Sequence, residues 1–337
     1  MKKILVTGGA GFIGSNFVRM VLSEHPDCFV VNLDKLTYAG NLENLAEYLE
    51  QPNYKFVKGD ICDGALIEKI IDEYQINAII NFAAESHVDR SIAEPKIFIE
   101  TNISGTLTLL EAARDKKLER FIQISTDEVY GSLGAEGKFT EQTRLSPNSP
   151  YSASKAAADH LVRAFGHTWG IKYNITRCSN NYGEYQFPEK MIPLMINNAL
   201  NDKELPVYGD GLYVRDWLYV YDHCTAIWQV LQKAPSGEIY NIGGCNEKVN
   251  LEVIDVILGR LGKPKSLIKH VADRPGHDRR YAIDASKMIS ELSWRPSVSF
   301  EEGMNKTIDW YLHNTQWLGN VVSGDYQKYY DSMYGNR

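Results

Sequence analysis

Lys3-Ile4-Leu5-Val6-Thr7-Gly8-Gly9-Ala10-Gly11-Phe12-Ile13-Gly14 decides the fold. An apolar run of strand character ends in glycines, and Ser15 to Ser23 then places apolar residues at helical spacing. Gly9, Gly11 and Gly14 fit G-x-G-x-x-G, whose glycines permit a tight turn, admit the backbone to a pyrophosphate and let the helix pack closely. Alone the motif is weak. Here it follows a strand, opens a helix and is answered by Asp34, 20 residues beyond Gly14 at the end of a second apolar run.

The same rhythm continues outward. Cys28 to Asp34, Lys55 to Asp60, Asn77 to Ala84 and Arg120 to Thr126 read as buried strands, with amphipathic stretches such as Thr101 to Lys116 between them. Strands alternating with helices predict an α/β fold, a Rossmann-type doubly wound parallel sheet covered on both faces. From about Asn180 the pattern loosens into Pro- and Gly-punctuated loops with shorter helices at Lys190 to Asn201 and Asn250 to Leu261. A smaller, interleaved C-terminal substrate-binding domain is expected there. Residues 1–179 would form the NAD-binding domain, with a returning segment near 214–240, where Val214 to Tyr221 reads as strand and turn. Residues 180–337 would mainly form this second domain.

Composition narrows the function. The 337 residues are 44% hydrophobic and 23% charged, ordinary for a folded chain that buries roughly three quarters of its unfolded surface. A net charge of -7 without Lys/Arg runs argues against nucleic acid and against a membrane surface. The five cysteines, Cys28, Cys62, Cys178, Cys224 and Cys245, are scattered without C-x-x-C spacing, so reduced thiols are expected and no metal site. Met1-Lys2-Lys3 starts like a signal peptide, but glycines interrupt the apolar run, and no stretch approaches the roughly 18 apolar residues of a membrane span. The expectation is a cytoplasmic enzyme with a small-molecule substrate.

At the cofactor site, Asp34 can accept hydrogen bonds from ribose hydroxyls and would repel a 2'-phosphate, favouring NAD over NADP, although Lys35 beside it could tolerate phosphate. Asp60, followed by Ile61, falls where an adenine edge would lie, or else caps its loop. Phe82-Ala83-Ala84-Glu85-Ser86 offers small residues beside the cofactor, or plain core packing.

The reactive groups come later in the chain. Tyr151 and Lys155 in Tyr151-Ser152-Ala153-Ser154-Lys155 share one helix face, so the ammonium can sit beneath the phenol. Free tyrosine must lose about three pKa units to act as a base near neutrality, which a lysine and an oxidised nicotinamide could supply together. Asp127 and Glu128 follow the strand ending at Thr126. Adjacent carboxylates reach one substrate only where strand alternation has stopped, and two sharing a cleft tend to divide into an acid and a base. A solvated acidic turn is the plain alternative.

Through Thr7-Gly8-Gly9-Ala10-Gly11-Phe12-Ile13-Gly14 and Tyr151-Ser152-Ala153-Ser154-Lys155 the chain resembles the extended short-chain dehydrogenases/reductases, and through Asp127-Glu128 the hexose 4,6-dehydratases among them. Ala84-Glu85-Ser86-His87-Val88-Asp89-Arg90-Ser91, Pro188-Glu189-Lys190, Arg215-Asp216-Trp217 and Asp273-Arg274-Pro275-Gly276-His277-Asp278 carry the resemblance across the chain; Tyr213 departs from it, where a smaller polar residue would be expected. The resemblance implies NAD-dependent dehydration of dTDP-glucose to the 4-keto-6-deoxy sugar. Tyr151 would take the 4-hydroxyl proton as hydride leaves C4, Glu128 would remove the C5 proton, and Asp127 would protonate the departing C6 hydroxyl before hydride returns to C6. Thr126, with Ser125, would steady the oxyanion and Lys155 would support Tyr151. Implied cofactor contacts are Gly8, Gly11, Phe12, Ile13, Gly14, Asp34, Lys35, Thr37, Asp60, Ile61, Phe82, Ala83, Ala84, Ser86, Thr101, Tyr151, Lys155 and Asn181. Implied substrate contacts are Ser86, His87, Thr126, Asn180, Glu189, Lys190, Pro206, Val207, Tyr208, Arg215, Asn250, Asp273, Arg274 and His277. A homodimer through Thr101 to Lys116 and the Tyr151 helix is implied as well. A UDP-glucose 4,6-dehydratase, a 4-epimerase of the same fold, or a silent NAD-binding sensor are the competing readings.

Overall fold

The computed structural model describes residues 2–273 and 277–323. Seven parallel strands form the main sheet: β1 (Lys3–Thr7), β2 (Phe29–Asp34), β3 (Tyr54–Lys58), β4 (Ala78–Asn81), β5 (Arg120–Thr126), β6 (Tyr173–Cys178) and a last strand, Ile239–Ile242. Their order is β3-β2-β1-β4-β5-β6 followed by Ile239–Ile242, so the chain reverses direction across the sheet between β1 and β4. Ligands bind at such a switch point, beyond the carboxyl ends of the strands.

Strand alternation divides the core. Ile4 and Val6 of β1 pack with helices α1 (Phe12–Glu24) and Val220–Lys233 on one face. Leu5 points the other way, toward α2 (Gly64–Tyr74) and the helices Thr106–Asp115 and Pro150–Trp169. Burial on both faces accounts for strands that read as continuous apolar runs. A separate core around Tyr182, Trp217 and Tyr219 joins helices Met191–Leu200, Asn250–Leu261 and Phe300–His313. Small sheets flank it: Asn180–Tyr182 with Val214–Tyr219 and Glu247–Val249, and Leu205–Tyr208 with Ile268–Val271.

The structure differs from the sequence reading at several joints. The chain returns to the main sheet through the helix Val220–Lys233 and the strand Ile239–Ile242, whereas Val214–Tyr219 pairs in a small sheet. β4 stops at Asn81, and Ala83 N then turns to Thr7 Oγ1 at 3.4 Å, because the chain here must pass against Gly8. The helix expected from Thr101 begins as a π-helical turn, Ile99–Gly105, before regular α-helix at Thr106–Asp115. Asn102 in that turn bonds Glu85 N and O at 2.9 and 3.0 Å and Ser154 Oγ at 2.8 Å, tying the loop after β4 to the Tyr151 helix. Such π turns are frequent at functional sites. Arg274 and residues 324–337 lie outside the described residues.

Candidate active site

A cavity of about 310 Å³ opens at the switch point. Gly8, Gly11, Phe12, Ile13, Gly14, Asp34, Lys35, Thr37, Asp60, Ile61, Phe82, Ala83, Ala84, Ser86, Thr101, Tyr151, Lys155 and Asn181 all line it, as do Thr126, Asp127, Glu128, Asn180, Glu189 and Lys190.

Its floor is backbone. Gly8 has φ +69°, and a Cβ there would stand 2.6 Å from Ala83 N; one on Gly14 would stand 2.3 Å from Gly8 O. These contacts leave the floor bare of side chains, so a pyrophosphate can approach the amides at the start of α1, a fit to a dinucleotide. Asp34, buried at the β2 end, accepts from Ala10 N at 2.9 Å and Leu36 N at 2.8 Å, which aims the carboxylate across the cavity. Lys35 is drawn to Asp60, Nζ to Oδ2 at 2.7 Å. Its charge is therefore compensated where a 2'-phosphate would otherwise find it, and the cavity fits NAD better than NADP.

The reactive end is built by three elements. Ser149 and Ser152 close a capping box with Pro150 as first helical residue, which starts the helix Pro150–Trp169 just before Tyr151 and stacks Lys155 one turn on. Lys155 Nζ donates to Ile124 O at 2.7 Å, so the ammonium is fastened to β5. Burial, and then the carboxylate of Glu128, hold the Tyr151 phenol well above its ordinary range, with Thr126 hydrogen-bonding it in opposition. Burial lowers Lys155, against the pull of Asp159.

The acid pair leaves the strand as the sequence required. Thr126 caps a 3-10 turn, Asp127–Tyr130, its Oγ1 accepting from Glu128 N at 3.2 Å, and this breaks the alternation that would have separated the two carboxylates. The turn is anchored from behind. Tyr130 OH donates to Asn241 Oδ1 at 2.7 Å and accepts from Arg177, which pairs with Asp159 at 2.9 Å, both charges buried. Burial, the Glu128 charge and the Asp216 charge push the Asp127 acid well above the carboxylate range, against Arg215. Its Oδ2 is buried and meets no hydrogen-bond partner among the described residues, and the same holds for Ser125 Oγ. An acid whose neutral form is favoured, beside a second carboxylate, suits proton delivery and removal at one substrate.

Other residues named from sequence fall elsewhere. Glu189 lines the cavity, yet its carboxylate is turned to Tyr38 and Arg90. His87 is buried at the start of the helix Val88–Ala93. Pro206, Val207 and Tyr208 lie in the strand Leu205–Tyr208, and Tyr208 OH donates to Asp89 Oδ2 at 3.3 Å. Asn250 opens its helix, its N–H on Tyr213 O at 3.0 Å. Arg215 donates to Val214 O and Asp278 O and lies over Tyr281, 4.6 Å from the ring centre. Asp273 accepts from His277 Nδ1 at 2.7 Å and from Tyr213 OH, while the Tyr213 and His277 rings stack at 3.8 Å and 11°. The departure at Tyr213 thus has a structural use. Sequence reading missed Cys178, Gln186 and Phe187 on the cavity wall. They sit on loops or strand ends whose approach to the cavity leaves no periodic signal. No group of His, Cys, Asp and Glu among the described residues is placed to hold a metal ion.

Among known proteins, the family described as GDP-mannose 4,6 dehydratase matches residues 5–307, and the chain belongs to that family, within the extended short-chain dehydrogenases/reductases. More narrowly, it is 57% identical over 341 residues to a dTDP-glucose 4,6-dehydratase of Xanthomonas campestris, covering 96% of this chain and 97% of that protein. The solved dTDP-glucose 4,6-dehydratase of Bacillus anthracis, in complex with NAD, shares 53% identity at a TM-score of 0.90, covering 95% and 100% of the two chains. A UDP-glucose 4-epimerase of Thermus thermophilus, also with NAD, superposes at 0.86 with 30% identity over 93% and 99%.

Proposed function

We propose that this chain converts dTDP-glucose to dTDP-4-keto-6-deoxyglucose by NAD-dependent loss of water. The observation that carries the reading is the capped turn holding Asp127 and Glu128 together, with Asp127 Oδ2 buried and unpartnered among the described residues. NAD supplies the acceptor for the C4 hydride and the donor that returns it at C6. Tyr151 takes the 4-hydroxyl proton, steadied by Thr126. Burial and the Glu128 carboxylate raise the Tyr151 pKa, so positive charge from an oxidised nicotinamide beside it would favour the ionised base. The resulting 4-ketone acidifies the C5 hydrogen, Glu128 removes it, and the Asp127 acid gives its proton to the departing C6 hydroxyl. Glu128, its proton exchanged with solvent, then protonates C5 as hydride is restored to C6, and the proton held on Tyr151 passes through solvent back to Asp127. Similarity to the dTDP-glucose 4,6-dehydratases supports thymidine as the nucleoside.

The test is turnover of dTDP-glucose and UDP-glucose side by side in heavy water, with products weighed and their C5 and C6 positions read by NMR. Loss of one water with deuterium at C5, from dTDP-glucose in preference, is expected. A product that keeps its C6 hydroxyl and carries no deuterium at C5 would make the chain an epimerase.

The chain is also read as a cytoplasmic homodimer, pairing through the elements Ile99–Gly105 with Thr106–Asp115 and Pro150–Trp169. Ile99 and Trp169 on them are 47% and 52% exposed, and all five thiols are free. No helix among the described residues is long and apolar enough to cross a membrane. Sedimentation equilibrium at twice the chain mass is the expected result.

A further inference from the structure

Three chain segments meet over the cofactor end of the cavity, each contributing wall residues: Thr37, Ala39 and Gly40 after β2; Ala84, Glu85 and Ser86 after β4; and Gln186, Phe187, Glu189 and Lys190 from the second half of the chain. None is tied to another by regular secondary structure. They are joined instead by one compact set of side chains. Tyr38 OH donates to Glu189 Oε1 at 3.0 Å, and Arg90 Nε donates to Glu189 Oε2 at 3.2 Å. The Arg90 guanidinium lies 3.7 Å from the centre of the Tyr38 ring, which meets Phe187 edge-on at 5.7 Å. Lys190 Nζ adds a bond to Ser86 O at 2.8 Å. The Glu189 side chain is only 2% exposed, so these are charge-assisted contacts in a poorly solvated place, where they are strongest.

The geometry points to a latch: we infer that Tyr38, Arg90 and Glu189 are positioning residues that close the wall over the bound dinucleotide and slow its escape. The inference rests on the NAD-dependent reading above and deepens it. The reaction withdraws a hydride from one carbon and must restore it to another of the same sugar after water has left. Loss of the reduced cofactor in that interval would strand the sugar as a ketone and leave the enzyme spent. A cofactor that outlasts the elimination therefore needs an exit slower than turnover. Each carboxylate oxygen of Glu189 holds a different segment, so opening the wall breaks both bonds together.

The experiment compares NAD dissociation from purified wild-type protein, Tyr38→Phe, Arg90→Lys and Glu189→Gln, by stopped-flow displacement, with thermal melts and the substrate KM measured alongside. Tyr38→Phe keeps the ring and removes one bond, so it tests the latch even where Glu189→Gln fails to fold. At least tenfold faster NAD release is expected in Tyr38→Phe and Arg90→Lys, with melting temperatures near wild type, substrate KM within threefold at saturating NAD, and a kcat that becomes dependent on added NAD. Wild-type release rates in folded variants would overturn the latch. A rise in substrate KM without faster NAD release would overturn it too, by making Glu189 a substrate ligand. Wild-type protein that binds no NAD would instead overturn the cofactor reading itself.

Discussion

The cavity at the switch point and the side-chain cluster around Tyr213 are constructed differently. At the cofactor end, the principal contacts come from the carboxyl ends of strands and the first loop residues beyond them: Gly8 after β1, Asp34 closing β2, Asp60 after β3, Ala83 after β4. A second cluster, Arg215, Tyr208, Tyr213, Asp273 and His277, stands outside the cavity lining and converges from two small sheets and the loops between them. The cavity takes its positions from the main sheet. The cluster is assembled from side chains that hold one another. The acid pair stands between, attached to the main sheet by Thr126 yet close enough to Arg215 to feel its charge.

Breaking the centre should have the largest effect. Asp127→Asn with Glu128→Gln is expected to slow elimination by about 10²–10³-fold while a single-turnover absorbance trace still shows 4-oxidation, because removal of a positioned acid or base costs that much. The single Asp127→Asn variant carries a second signature. The folded pKa of Asp127 is raised above its ordinary 3.8, so the wild-type contribution is whole below that pH and is lost as pH rises toward the folded value. Asp127→Asn should therefore melt higher than wild type near neutral pH, the gain shrinking in mild acid; a gain that grows on acidification would refute the assignment.

The next pair sharpens the contrast between the two regions. Gly8→Ala must carry a side chain at φ +69° against Ala83, costing about 1–2 kcal/mol in strain, and calorimetry should show NAD affinity at least about tenfold weaker. Arg215→Lys loses the planar fork that bridges two carbonyls and covers Tyr281. It should raise substrate KM about tenfold and leave NAD affinity unchanged. If either variant moved both constants equally, the two regions would be one cooperative unit. The smallest effect belongs to Asp60→Asn, which frees Lys35 from a half-exposed ion pair; NADP affinity should improve about threefold, with little change in stability.

The strand-to-helix joints were legible because their physics is local. A glycine turn after an apolar run, or a serine-proline start a few residues ahead of Lys155, acts within a short stretch of chain. The break after Thr126 was readable for the same reason. The Lys155 helix was legible, but its bond to Ile124 was not, since Ile124 lies 31 residues away and only the packing of helix on strand presents its carbonyl. Glu189 was placed at the cavity, but its bond to Tyr38 was not legible, because nothing near it in sequence announces a residue 151 positions earlier.

By itself, then, the sequence determined the doubly wound sheet, the dinucleotide cradle, the Tyr151-Lys155 helix and the acid pair, all products of short-range spacing and backbone preference. The tertiary structure alone decided which charges meet: Lys35 with Asp60, Arg90 and Tyr38 with Glu189, Tyr213 with His277 and Asp273. Side-chain electrostatics depends on distance in space and on lost solvent, and neither is fixed until distant segments have packed.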